Sequence, residues 1–396
     1  MNFILLKKYQ KNIYPIFDLG LNGINYFTHI ICSWFLSESS YGNLNALLSF
    51  LSILFVSGVS LQFLTAKEVA KNEILNFTII KLAIKYLIFI IFIYFLFSMK
   101  LKLFLHSNYF SLTILIFIFI FNTFLCIFRG IFQGKEEFLY LNISFYIEIL
   151  SKFILLIIFF QVFKSEIAVL FAILLGMIFS FLQGFFYGFK RINKNFSRYN
   201  YLKEFSYIFI SNFFIYYFTS VDMILVNYKL NIESGIYAVV LRYSQLILFI
   251  SFSVITTFVP TLSKYSSSIE ILKSKIKKYL LILLSVHSIL LILYIFILPF
   301  TIKYLFGMKY IQAEKYLYLG AIAYVLLANC FYLVNVNIIL KRKLYLYLLS
   351  FFSIIYIIIF YLFINNILQV FLLSIITYLF LFISLTITLI YEGESL

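Results

Sequence analysis

Charged residues are what this 396-residue chain has least of: only 12% are Asp, Glu, Lys or Arg, about half the share of an average soluble domain. With 64% hydrophobic residues and a mean hydropathy of +1.05, it has too little polar surface to close over a soluble core. The three cysteines, Cys32, Cys126 and Cys330, lie far apart within apolar runs and form no C-x-x-C. That spacing argues against a thiol-ligated metal or a redox pair and leaves them as small interior residues. No metal-ligand cluster, glycine-rich phosphate loop or nucleophile elbow is present, so no metal, cofactor or catalytic centre is expected. Period-two alternation of apolar and polar residues is also missing, and unpaired backbone groups are too costly in lipid, so any membrane-crossing segments must be helices.

What fills the chain is one unit repeated: about two dozen apolar residues, a short polar break, then the next run. The predicted spans are 13–36, 43–66, 79–99, 109–127, 138–163, 166–189, 205–228, 235–259, 279–301, 316–338, 344–364 and 367–391. Each reaches across a hydrocarbon core that takes roughly 20 helical residues. The fold class is therefore all-α, a polytopic integral membrane protein of about twelve transmembrane helices. The weakest division is between the third and fourth spans, where Lys100, Lys102, His106 and Asn108 mark the break. The first run is longer than a signal-peptide core and no A-x-A-like site follows it, so it is read as a span.

With the N-terminus inside, 22 basic residues fall on cytoplasmic connections or near them and 7 on outer ones. The positive-inside rule then places both termini in the cytoplasm. Basic loops facing anionic headgroups also explain the formal charge of +16 without a nucleic-acid partner. Acidic residues, 15 in all, are half as frequent as basic ones.

The chain repeats itself. Residues 36–54, LSESSYGNLNALLSFLSIL, align with residues 230–248, LNIESGIYAVVLRYSQLIL, so that Gly42 meets Gly235 behind short loops carrying Glu38 and Glu233. Two pseudo-symmetric six-helix halves, 1–189 and 205–396, joined by the basic segment 190–204, account for this. An even number of spans per half gives both the same orientation.

Several of these segments carry a resemblance. FLSESSYGNLNALLSF, FRGIFQGKEEFLYLNI and SVDMILVNYKLNIESGIYAVVLRYSQLILF, with the later FVPTLSK, resemble the second, fourth-to-fifth and seventh-to-eighth helix regions of the Wzx-type polysaccharide-unit flippases. These belong to the MOP superfamily, which also holds MurJ-like and MATE transporters. The resemblance implies two six-helix bundles in a V around a cavity that opens alternately to each side. It implies translocation of an undecaprenyl-pyrophosphate-linked oligosaccharide to the outer leaflet of a bacterial cytoplasmic membrane, for O-antigen or capsule assembly. The partners it implies are that lipid-linked oligosaccharide, the bilayer, an H+ or Na+ coupling ion, and the polymerase and chain-length proteins of such a pathway.

An anionic pyrophosphate needs a wet, partly cationic site, and ionisable residues within spans are the natural candidates. Arg242 lies roughly 10 Å from the outer end of the eighth span by helical rise, and a guanidinium suits bidentate phosphate contact. Gly235, Ala238, Gln245, Ser253, Thr256 and Pro260 share its face. Arg242 reads equally as an ion-pair partner of Asp222, which lies at similar depth in the seventh span. Asp222 alone reads as a proton or cation site, since a desolvated carboxyl can load and release protons; His29 is its counterpart in the repeat. Glu148 and Lys152 form an i,i+4 pair in the fifth span, either neutralising each other or offering Lys152 to the pyrophosphate with Glu148 holding it or binding a cation. Arg129 and Lys135 are placed at the cytoplasmic mouth. Asp18, His287, Asn122, Gln183, Asn212, Asn329, Asn335 and Asn337 are weaker candidates that interhelical hydrogen bonding explains as well.

Two other classes compete. A MATE-like exporter of cationic small molecules would favour a net negative cavity, against Arg242, Lys152 and His29. A membrane polymerase or glycosyltransferase would need a large outer loop with catalytic carboxylates, and residues 302–315 carry only Glu314. No ATP-binding domain is visible, so an ion gradient, the membrane potential or consumption of product must drive transport.

Overall fold

The structure, a computed structural model, describes residues 20–21, 23–72, 74–193, 200–264, 269–340 and 342–394. Asp18, the N-terminal lysines and linker residues 194–199 lie outside them, as do the side chains of Thr256 and Pro260. Helix α1 covers residues 23–35. It is followed by α2 (Glu38–Asn72), α3 (Phe77–Phe104), α4 (Tyr109–Gly134), α5 (Phe138–Val162), α6 (Glu166–Gly188), α7 (Tyr201–Phe218) and α8 (Val221–Lys229). Then come α9 (Ser234–Lys264), α10 (Ile269–Phe296), the single turn α11 (Ile302–Leu305), α12 (Leu317–Ile339), α13 (Leu344–Phe363) and α14 (Ile367–Glu394).

Among the described residues, ten helices are long and apolar enough to cross a membrane, and α7 with α8 makes an eleventh span bent by 45°. The second to twelfth expected spans coincide with these helices to within a few residues at most ends, and part of the first, 13–36, lies outside the described residues. The third–fourth boundary is a real break. His106 adopts the left-handed φ of 46°, Ser107 N–H bonds back to Lys102 O at 3.1 Å, and Asn108 Oδ1 accepts from Ser111 N–H at 2.7 Å to open α4.

The seventh span differs from the continuous helix expected. Its break at Thr219 and Ser220 contains neither Pro nor Gly, so no helix breaker announced it. The carbonyl of Phe218 freed by the bend accepts from Tyr378 Oη at 3.0 Å, and Tyr217 Oη donates to Ser353 O at 2.7 Å. A broken helix is tolerated in lipid when neighbouring helices satisfy it in this way.

The chain divides into two compact units, Met1–Tyr216 and Tyr217–Leu396. In the first, α2 packs on α4 at close range. A Cβ on Gly134 would lie 2.5 Å from Ala66 O, and one on Gly130 would lie 2.7 Å from Gln62 O, so a pair of glycines four residues apart lets the backbones approach. Aliphatic and aromatic side chains of α2, α3, α4 and α7, among them Leu61, Ile131, Phe132 and Phe205, form the core beside this contact. A two-residue parallel strand pair, β1 (Leu75–Asn76) and β2 (Ile192–Asn193), ties the ends of the connections together with Leu75 opposite Ile192. In the second unit, α12 is the central helix, buried along most of its length and packed on α9, α10 and α14.

The outward faces are apolar. Ile88, Phe92, Phe95 and Leu96 of α3 and Phe351, Ile354, Ile358 and Leu362 of α13 are all exposed. Patches of this extent do not survive in water, and here they form the lipid-facing surface of a multi-pass integral membrane protein.

Candidate functional site

Polar side chains inside a bundle of this kind have two ways to be satisfied. Most turn back on their own helix, as Ser60 does to Val56 O at 2.7 Å, Ser244 to Val240 O at 2.8 Å and Ser374 to Val370 O at 3.0 Å. Asn329, Asn335 and Asn337 do the same, each donating to the carbonyl four residues earlier. Those that instead reach between helices include a cluster around one buried charged residue in each unit, Arg129 and Asp222.

In the first unit the centre is Arg129. The sequence places it at the cytoplasmic mouth, and the structure buries it to 5% exposure about 7.5 Å, by helical rise, from the end of α4. Its Nε donates to Ser144 Oγ at 2.9 Å. Its Nη2 reaches Glu148 Oε2 at 2.5 Å, Ser144 O at 3.3 Å and Ser180 Oγ at 3.4 Å. The guanidinium carbon lies 3.9 Å from the ring centroid of Phe145. One planar cation therefore ties α4, α5 and α6 together. Gly176 permits it: a Cβ there would lie 2.7 Å from Glu148 O. Lys135, by contrast, is at the α4 C-terminus, and in the same turn Glu137 pairs with Arg191.

The i,i+4 partnership expected within α5 is thus replaced. Glu148 pairs with Arg129 across helices, and Lys152 hydrogen-bonds Asn25 of α1. The guanidinium prevails because it brings a planar set of donors to a carboxylate and two serines at once. His29 is half-buried one turn further along α1.

In the second unit Asp222, on the first turn of α8, is 1% exposed. Tyr237 Oη of α9 donates to its Oδ2 at 2.6 Å, and Met223 N–H donates to its Oδ1 at 2.8 Å. Tyr324, Tyr356 and Tyr378, from α12, α13 and α14, are fully buried within reach of its charge. Tyr356 and Tyr378 stack with ring planes 1° apart, and Tyr356 Oη lies 3.0 Å from Ser374 Oγ. The bend between α7 and α8 places Asp222 in this tyrosine cage. The ion pair with Arg242 is not formed: half-buried Arg242 donates from Nη1 to Gln245 Oε1 at 2.8 Å. Tyr324 lies in the fields of both charges, and its hydroxyl is buried without a hydrogen-bond partner.

His287 occupies a separate niche, with Nε2 2.8 Å from Ser251 Oγ and Nδ1 3.3 Å from Asn329 Nδ2. The amide as assigned donates to Nδ1, leaving the Nε2–H tautomer to face the serine. This group locks α9, α10 and α12 together. No three His, Cys, Asp or Glu side chains among the described residues are grouped to hold a metal.

A half-buried cation in each unit, Lys152 and Arg242, a caged carboxylate beside a helix break and an apolar outer face define a polytopic membrane protein of helical-bundle type with charged groups in its interior. Comparison places it further. The profile of the polysaccharide biosynthesis protein family matches residues 17–266, well over half of the chain, and the protein belongs to that family. Its fold is that of the MOP superfamily. An inward-facing multidrug resistance MATE family transporter of that superfamily superposes with a TM-score of 0.75 at 12% identity, covering 94% of this chain and 95% of its own. The lipid II flippase MurJ, in an inward closed conformation, gives 0.71 at 15% identity over 95% and 87% of the two chains. The eukaryotic MATE transporter AtDTX14 gives 0.69 at 15% identity over 98% and 96%. No curated protein sequence matches significantly.

Proposed function

We propose that this protein is a non-enzymatic flippase that moves undecaprenyl-pyrophosphate-linked oligosaccharide repeat units from the inner to the outer leaflet of the bacterial cytoplasmic membrane. It works by alternating access of two six-helix halves, 1–189 and 205–396, joined by segment 190–204, with both termini cytoplasmic. The observation that carries this reading is membership of the polysaccharide biosynthesis family by a chain with a transporter fold. The side chains are suited to the cargo. Arg242 and Lys152 put positive charge on half-buried positions of α9 and α5, each bonded to an amide oxygen, from Gln245 and Asn25 respectively. A pyrophosphate can compete for such donors.

Asp222 is the coupling residue in this scheme. A carboxylate held by one tyrosine hydroxyl and one backbone N–H keeps acceptor capacity for a proton or a sodium ion, and the bend beside it offers a hinge. Glu148, already paired, is assigned to holding Arg129 instead of a coupling ion. The test is Arg242→Ala in cells whose only copy is the variant. Translocation is expected to be lost while the amount of protein in the membrane is unchanged. Normal transport by a stably inserted variant removes Arg242 from the site.

A further inference from the structure

Beyond the transport path, a groove of about 390 Å³ lies in the first unit between the start of α3 and the start of α7. Its volume falls in the range of ligand-sized clefts, roughly 300–1,000 Å³. Lys81 and Lys85, one helical turn apart on α3, supply its charge, and Leu82, Tyr86, Phe89 and Phe205 supply its apolar wall. None of the described residues lining it is acidic. Two carboxylates of the flanking elements are already engaged: Glu204 pairs with Lys67, and Glu68 accepts from Tyr201 Oη at 2.6 Å. Phe89 and Leu202 of its lining are exposed, and Phe89 continues the outward apolar face of α3 with Ile88 and Phe92. Its polar end lies by the α2–α3 and α6–α7 connections, with Lys71 in the last turn of α2 and Lys203 in the first turn of α7.

The geometry points to a binding site for an anionic phospholipid of the cytoplasmic leaflet. We infer that its phosphate sits between the Lys81 and Lys85 ammonium groups and one acyl chain lies along Phe89 and Leu202. Three features together select this occupant. Two cations at one-turn spacing on a helix flanking the groove match a phosphodiester, which a zwitterionic headgroup would offset with its own ammonium. The aromatic wall begins one turn deeper on the same helix, in the order headgroup then chain. A soluble phosphate would leave that wall in contact with water. The bound lipid would fill the space between α3 and α7 and brace the helix that leads into the bend at Ser220.

The experiment is native mass spectrometry of the purified full chain, titrated with palmitoyl-oleoyl phosphatidylglycerol and, in parallel, with the phosphatidylcholine of the same chains. Wild type is expected to retain one phosphatidylglycerol per chain at concentrations where phosphatidylcholine has dissociated. Lys81→Gln/Lys85→Gln is expected to weaken retention at least tenfold, and Lys81→Arg/Lys85→Arg to preserve it. In a second measurement that needs no variant, a phosphatidylglycerol with a photoreactive acyl chain should label peptides containing Phe89 and Leu202. Equal retention of both lipids, full retention by the Gln variant, or labelling elsewhere would overturn the assignment. So would displacement of phosphatidylglycerol by equimolar undecaprenyl phosphate, which would make the groove a carrier-lipid site. None of these outcomes depends on whether Arg242 contacts cargo.

Discussion

Removing Arg129 should cost far more than removing any loop arginine, and the structure says how much. The guanidinium side chain is 6% exposed and the Glu148 carboxylate 19%, so replacing Arg129 by Met leaves a largely desolvated carboxylate without its cation. Breaking a buried pair from one side costs about 3–5 kcal/mol; the lower end, about 3 kcal/mol, is roughly two orders of magnitude in the folding equilibrium. Ser144 and Ser180 keep a mutual hydrogen bond at 2.8 Å, which argues for that lower end. Removing both charges should be mild, because Arg129→Met/Glu148→Leu fills the same space with apolar atoms. The expected loss in the double variant is below about 1.5 kcal/mol, well under the sum of the two single losses. The single tryptophan, Trp34, reports on this unit, because its helix docks on α5 through Lys152–Asn25 and the Phe35–Phe160 stack at 4.9 Å. Reversible unfolding in mixed micelles followed by its fluorescence gives the four free energies. Additive losses in the two single variants would refute the pairing.

Three further outcomes follow from the packing. Tyr237→Phe removes the hydroxyl 2.6 Å from the buried Asp222 carboxylate and should lower stability by about 1.5–3 kcal/mol, measured in the same micelles; Asp222→Asn/Tyr237→Phe should recover part of it, and no recovery would mean the contact is incidental. Gly134→Ala puts a Cβ 2.5 Å from Ala66 O and should cost about 1–3 kcal/mol by forcing α2 from α4, whereas an unchanged melting temperature would show that the crossing is loose. Exchanging the charges, Asp222→Arg/Arg242→Asp, should fail to restore transport, because Asp222 is held by Tyr237 and Arg242 by Gln245; restored transport in a cell-based assay would show that they act as a pair.

Much of this architecture is legible in the amino-acid order, for a physical reason. Lipid demands an unbroken apolar run of known length, and at Asn108 the polar residue that ends one run also caps the next helix. Choices made between helices are less legible. Glu148 had Lys152 four residues away, yet the structure gives it Arg129 from α4, which no local rule foresees. Arg129's depth did leave a trace: the sequence stays apolar on both sides, from Cys126 to Phe132, interrupted only by the adjoining Gly130. The bend at Thr219 and Ser220 left none, since the groups that accept it, Tyr378 and Ser353, are more than a hundred residues away.

Translocation of a lipid-linked oligosaccharide is read out in cells depleted of this protein, by leaflet-specific accessibility of undecaprenyl-linked repeat units. Complete units trapped on the cytoplasmic side, with loss of surface polymer, are expected. Single units that reach the outer leaflet but fail to polymerise would contradict it and move the protein to the polymerases, while normal units with lost efflux of cationic compounds would make it an exporter.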